Sequence, residues 1–120
     1  MTDASTASLD LQTLDAYCAA IGAATLLKSV VVFEQMAPEY LQTMAAAMQS
    51  KDKPLLCSEA HKLKGAAGSV GLKRIQELSQ QLQCGDLPQW QEGHEQWYQQ
   101  IERHLEEDVA SLKQYLSQRS

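Results

Sequence analysis

One run of this chain carries residue types that can do chemistry at a spacing that would let them: His61-Lys62-Leu63-Lys64-Gly65-Ala66-Ala67-Gly68-Ser69-Val70-Gly71. On a helix turning about 100° per residue, Leu56, Leu63 and Val70 fall within about 40° of one another and form an apolar face. His61, Lys64, Gly65, Gly68 and Leu72 fall on the opposite side. A neutral imidazole nitrogen is a nucleophile, and Lys64, three residues on, is its neighbour on the helix surface. If the ring took up a phosphoryl group, that ammonium would screen the charge. Gly65 and Gly68 lie on the same face, where each costs roughly 1 kcal/mol of helix stability relative to alanine. What they give in return is access, because another protein surface can approach the backbone beside the ring.

The same run also fits a glycine-rich turn after a helix with an ordinary surface histidine, and spacing alone leaves both readings open. Two familiar phosphate-binding patterns are absent. The G-x-x-x-x-G-K-S/T order of a P-loop is missing, and no strand precedes the glycines as a dinucleotide fingerprint requires. Other reactive groups read as structural. Cys57 precedes His61 by four residues, but no orienting Asn or Asp follows in a catalytic context. Glu59 lies on the core side of the helix. His94 and His104 are ten residues apart, roughly 15 Å along one helix, which is too far to share a metal. The Glu and Glu-x-x-His sets of a metal-binding bundle are missing. Met36, Met44 and Met48 read as core filling, and Trp90 and Trp97 as core anchors.

The elements that must position His61 are helical. The chain has 120 residues, 44% of them hydrophobic, with only 6 Gly and 3 Pro. That suits one domain rich in helix formers. A formal charge of −5 and the lack of a basic tract disfavour nucleic acid as a partner. The three cysteines, Cys18, Cys57 and Cys84, are odd in number and widely spaced, as in reduced cytoplasmic proteins. The first residues lack the basic and apolar regions of a signal peptide, and the apolar stretch around Leu26 to Phe33 is too short to span a bilayer. A cytoplasmic protein without membrane contact is expected.

Residues 1–8 are small and polar and are expected to be flexible. Leu11, Leu14, Tyr17, Cys18 and Ile21 give a short first helix stopping at Gly22. An apolar stripe then runs from Ala23 to Gln49, with a kink or restart expected at Pro38. Asp52 and Pro54 open the helix that carries His61 and ends near Val70 or Gly71. A further helix spans about Lys73 to Gln83, and after the Cys84–Pro88 connector the last runs from Pro88 to Leu116. The pattern predicts an all-α protein: an antiparallel four-helix bundle with a short additional N-terminal helix, forming a single domain over residues 9–120.

The run resembles the signature of histidine phosphotransfer (HPt) domains, H-x-x-K-G-x-x-x-x-x-G, which His61, Lys64, Gly65 and Gly71 match. The stretches Phe33 to Pro38, His61 to Leu72, Asp86-Leu87-Pro88 and Asp108-Val109 are similar to the HPt domains of Arc-type anaerobic sensor kinases. The resemblance implies phosphorylation of His61 on Nε2, stabilisation of the phosphoryl group by Lys64, and room for a partner at Gly65 and Gly68. It implies a hydrogen bond to His61 from a glutamine on the following helix, at the position of Gln83, with Ser69 as a site neighbour. Phe33 and Leu72 are candidates either for a docking patch around His61 or for ordinary core. The implied partners are the receiver domain of a hybrid sensor kinase and a response regulator. Mg²⁺ is expected in the receiver and no cofactor in this chain. Without a nucleotide-binding motif it is expected to carry phosphoryl groups, not to act as a kinase. A monomer is expected, because a receiver should cover the His61 face. A free-standing carrier is also expected, completing an Arc-type system whose sensor lacks its own HPt module. The alternative from another class is a helical adaptor that binds a signalling partner without chemistry.

Overall fold

The computed structural model describes residues 8–119, and among them the chain forms five helices and no strand. They are α1 (Leu11–Ile21), α2 (Ala23–Gln49), α3 (Lys53–Ser69), α4 (Lys73–Gln83) and α5 (Trp90–Ser117). The all-α architecture expected from periodicity is the one observed. Helix α2 packs on α3 and α5, and α4 packs on the same two, so α2 to α5 close into a ring of four. The connectors α2–α3 and α3–α4 are three residues each, which forces these packed neighbours to run antiparallel. Their interior is filled by fully buried side chains from every wall, including Val30, Met44, Leu63, Ile75, Ile101 and Leu112.

Helix α1 is set against α2 across a sharp turn, the two axes differing by 119°. Gly22 makes that turn with φ of 88°, a left-handed backbone that a side chain would strain. No single helix among the described residues is long and apolar enough to cross a membrane. Asp10 caps α1, its carboxylate accepting from the Thr13 N–H at 3.2 Å and the Thr13 hydroxyl at 2.7 Å. These bonds hold the Asp10 carboxyl below its ordinary range. Just before it, the Asp10 N–H donates to the Gly71 carbonyl at 2.9 Å, tying the entry of α1 to the α3–α4 turn.

Several expectations need correction. Ser8, read as part of a flexible tail, is 1% exposed and buried beside Leu9; residues 1–7 lie outside the described residues. Pro38 does not restart α2, which continues through it as one helix. Pro38 is exposed, so its ring does not enter the core. Met36 is 44% exposed, not core, while Met44 is buried as read. On α5 the buried aromatic position beside Trp90 is Tyr98, whose hydroxyl donates to the Leu41 carbonyl at 3.3 Å, whereas Trp97 is half-buried.

Leu72 is also corrected. The helical projection placed it on the His61 side, but α3 ends at Ser69. Gly71, with φ of 77°, turns the chain, and Leu72 folds under the turn to complete burial. It is core and offers no surface for docking.

One buried ion pair joins α4 to α5. Asp108 is 1% exposed, and its two oxygens accept from Arg74 Nη2 at 2.5 Å and Nε at 3.1 Å. The carboxylate pushes the guanidinium further up from an already high value. Arg74→Met strands a buried carboxylate and is expected to cost about 3–5 kcal/mol in denaturant unfolding, whereas the double change Arg74→Met with Asp108→Leu should recover most of that loss. At the α1 cap, Asp10→Ala should lower stability by about 1 kcal/mol at neutral pH. Because the folded carboxyl is depressed, that contribution is present above the usual carboxylate range and is lost as pH falls through the folded value. The difference between wild type and variant in urea titrations should therefore vanish in acid.

Candidate functional site

Helix α3 is anchored at its start, where the Asp52 carboxylate accepts from the Leu55 N–H at 3.1 Å and Pro54 occupies the first turn. From there Leu56, Ala60, Leu63 and Ala67 are buried at 1% exposure or less, which fixes the rotation of the helix. His61 is consequently exposed. Glu59 turns inward as the projection required, and pairs at 3.6 Å with Lys62.

The decisive contact of the site comes from a second helix. His61 Nδ1 lies 2.8 Å from Oε1 of Gln83, the last residue of α4. A carboxamide oxygen only accepts, so Nδ1 carries the proton. In the neutral ring the lone pair is then on Nε2, and this contact favours one tautomer and one orientation. Twenty-two residues separate the pair, so only the antiparallel packing of α3 on α4 brings them together.

The other predicted residues divide. Lys64 is half-buried at the α3–α4 groove and has no ion-pair partner among the described residues, in contrast to Lys62. Gly65 is open: a Cβ built there meets nothing within 4 Å. Gly68 is not. A Cβ there would come within 2.7 Å of the Gln76 carboxamide, so the end of an α4 side chain occupies that space. Ser69 turns its hydroxyl onto the Ala66 carbonyl at 2.8 Å, a bond within its own helix. Phe33 is 5% exposed and belongs to the core, with only its edge in a shallow groove between α2 and α3, beside Val32, Met36 and Ala66.

The remaining reactive groups stand elsewhere. Burial pushes the Cys57 thiol up, outweighing the Lys53 charge and the Gly85 N–H that favour the thiolate. Its neighbours are these and Cys84, and no hydrogen bond joins it to His61 among the described residues. His94 stacks on Trp90 at 4.3 Å between centroids, and His104 lies 3.5 Å from Glu107. No group of three or more His, Cys, Asp and Glu side chains gathers as a metal site among the described residues.

An exposed histidine on a bundle helix, held through Nδ1 and flanked by a free cation and an open glycine, coincides with a family pattern: the model of the Hpt domain matches residues 28–118. The chain belongs to the Hpt domain family. It is 36% identical over 113 residues to the aerobic respiration control sensor protein ArcB of Escherichia coli K12, and equally to that of Shigella flexneri. That match covers 94% of this chain but 14% of the sensor protein. Among solved structures, the histidine-containing phosphotransfer domain of ArcB from Escherichia coli superposes with a TM-score of 0.94 at 35% identity, covering 97% of this chain and 98% of that one. The solution structure of the same domain gives 0.87 at 36% identity, covering 94% and 90%. This Hpt domain and the ArcB domain thus share one bundle from end to end.

The Nδ1–Gln83 contact can be read directly. Nitrogen-15 NMR of neutral His61 should show predominantly the Nδ1–H tautomer, and Gln83→Leu should move the ring toward the Nε2–H form without altering the fold. An unchanged tautomer in Gln83→Leu would remove Gln83 from the site.

Proposed function

We propose that this Hpt domain is a phosphoryl carrier in a bacterial multistep phosphorelay of the Arc type, accepting on His61 and donating from it. The observation that carries the reading is the 2.8 Å contact between Nδ1 and Gln83, because it leaves Nε2 as the free nucleophile on an exposed ring. Nε2 attacks the phosphorus of a receiver's aspartyl phosphate in line. The P–N bond forms as the bond from phosphorus to the carboxylate oxygen breaks, and the aspartate leaves as carboxylate. No proton need move: Nδ1 keeps its hydrogen, and the positive charge that develops on the ring is met by the Gln83 oxygen. Transfer to a response regulator's aspartate runs the same step backwards.

Lys64 is the group suited to the transferred phosphoryl oxygens, since Lys62 is already paired with Glu59. Gly65 gives the receiver close approach, which an open Cβ position permits. The Mg²⁺ of the transfer belongs to the receiver, as does most of the stabilisation of the transition state. The chain would act as a carrier without kinase activity of its own. It would work as a monomer in the cytoplasm, where its cysteines stay reduced and a receiver, not a second copy, covers the His61 face.

The test is transfer from a radiolabelled phospho-receiver. Wild type should become labelled with an acid-labile, alkali-stable bond, and His61→Gln should not. Equal labelling of both would overturn the assignment, and no labelling of either would favour a non-catalytic adaptor. Lys64→Ala should slow transfer roughly tenfold, the worth of one hydrogen bond to a charged group. Gly65→Ala should do the opposite to stability and rate, raising the first by up to about 1 kcal/mol while lowering the second.

A further inference from the structure

The backbone carbonyl next to Gln83 is bound from a third helix, α5. Helix α4 ends at Gln83, and Cys84 leaves the helical backbone with φ of −90° and ψ of 70°. The helix therefore stops before residue 86, whose N–H would have served the carbonyl of Leu82. Two nearby backbone donors are committed elsewhere: the Cys84 N–H goes to Gln81 at 3.3 Å, and the Leu87 N–H to Cys84 at 3.0 Å. The Leu82 carbonyl is taken instead by the indole of Trp90, whose Nε1 donates to it at 2.9 Å in a buried setting. Trp90 is 3% exposed. One face of its ring carries the Lys53 ammonium, 4.6 Å from the centroid, and His94 stacks on the ring at 4.3 Å, nearly parallel. One side chain thus joins the start of α3, the end of α4 and the start of α5. The residue after its acceptor is Gln83.

We propose that Trp90 is a positioning residue for phosphoryl transfer. Its indole N–H fixes the last turn of α4 and so sets the reach of the Gln83 carboxamide to His61 Nδ1. This rests on the phosphotransfer reading above, but its mechanical half stands apart from it. Without the indole bond, the Leu82 carbonyl is buried and unserved. The final turn then frays or rotates to find a donor, and the exposed end that moves most easily is the residue next to it. A 2.8 Å contact between two side chains on separate helices tolerates little of that movement. Trp90 touches neither His61 nor the groups that would react, so its effect travels entirely through Gln83.

The test is a double-mutant cycle of Trp90→Phe and Gln83→Leu, read in two ways. Nitrogen-15 NMR reports the His61 tautomer in the unphosphorylated protein, and a labelled phospho-receiver reports the transfer rate. Trp90→Phe should give up a large part of the Nδ1–H preference and slow transfer roughly threefold to tenfold. In the Gln83→Leu background the same change should do neither. A wild-type tautomer in Trp90→Phe would overturn the proposal, as would an equal slowing with Gln83 present or absent, which marks a general loss of packing. If Trp90→Phe does not fold, 3-benzothienylalanine at position 90 keeps the ring, drops only the N–H and carries the same expectations. The NMR reading needs no phosphoryl donor. A failure of transfer in the wild type would therefore sink the phosphotransfer reading while leaving the coupling of Trp90 to Gln83 separately decided.

Discussion

An imidazole that must meet another protein cannot be oriented by burial, and an imidazole left free in water has two tautomers and rotates. The hydrogen bond from His61 Nδ1 to Gln83 Oε1 reconciles these demands. It fixes the proton on the nitrogen that faces the bundle and leaves the outer nitrogen bare. Much of the remaining architecture can be understood as support for that one contact. The buried face of α3 sets the rotation of His61, the packing of α4 on α3 sets the separation, and the end of α4 sets the height. The Arg74–Asp108 pair contributes at a distance by locking α4 to α5. A buried ion pair adds little net stability once desolvation is counted, but it resists sliding, because any shift in register strands a charge.

The three glycines of the motif look alike in sequence and have three separate reasons. Gly65 stands open, and no packing within the described residues requires its missing side chain. Gly68 is covered by the carboxamide end of the Gln76 side chain from α4. Gly71 has positive φ, and a Cβ there would strike Leu14 at 2.7 Å. It ends α3 and at the same time seats α1 on the turn, through the bond from the Asp10 N–H to its carbonyl. Only the first of the three leaves open space on the His61 face, whereas Gly71 holds the turn that follows α3.

How much of this could be read in the sequence follows from the range of each interaction. Periodicity reports which face of a helix is buried, so α1 to α5 and the outward direction of His61 were legible from residues a turn apart. It fails where the helix does. Leu72 was projected onto the His61 side as if α3 continued, when a left-handed Gly71 had already turned the chain inward. Met36 follows an apolar spacing but lies on the rim of the stripe, and hydrophobicity alone does not distinguish rim from core. Contacts such as His61–Gln83, Arg74–Asp108 and Trp90–Leu82 join residues on different helices. No local pattern encodes them. Gln83 was reached only through a family resemblance, and Trp90 was seen as an anchor without a sign of what it anchors.

The chemical identity of residue 83 matters as much as its position. A carboxylate there would orient the ring equally well, as it does in many catalytic dyads, but it would also favour the imidazolium. A proton on Nε2 blocks the nucleophile, and a carboxylate beside a phosphorylated ring would hold the positive product too firmly to release it. An amide supplies the acceptor without the charge. In the proposed transfer Lys64 would complete the balance from the other side, its ammonium disfavouring a second proton on the ring and screening the phosphoryl oxygens. The local cation also matters in a chain of net charge −5, which by itself repels an incoming phosphoryl group. Orientation is thus given to a neutral group and charge compensation to a separate cation. That division suits the carrier role proposed above, in which a phosphoryl group is taken up and given away, since neither group would stabilise one state strongly enough to trap it.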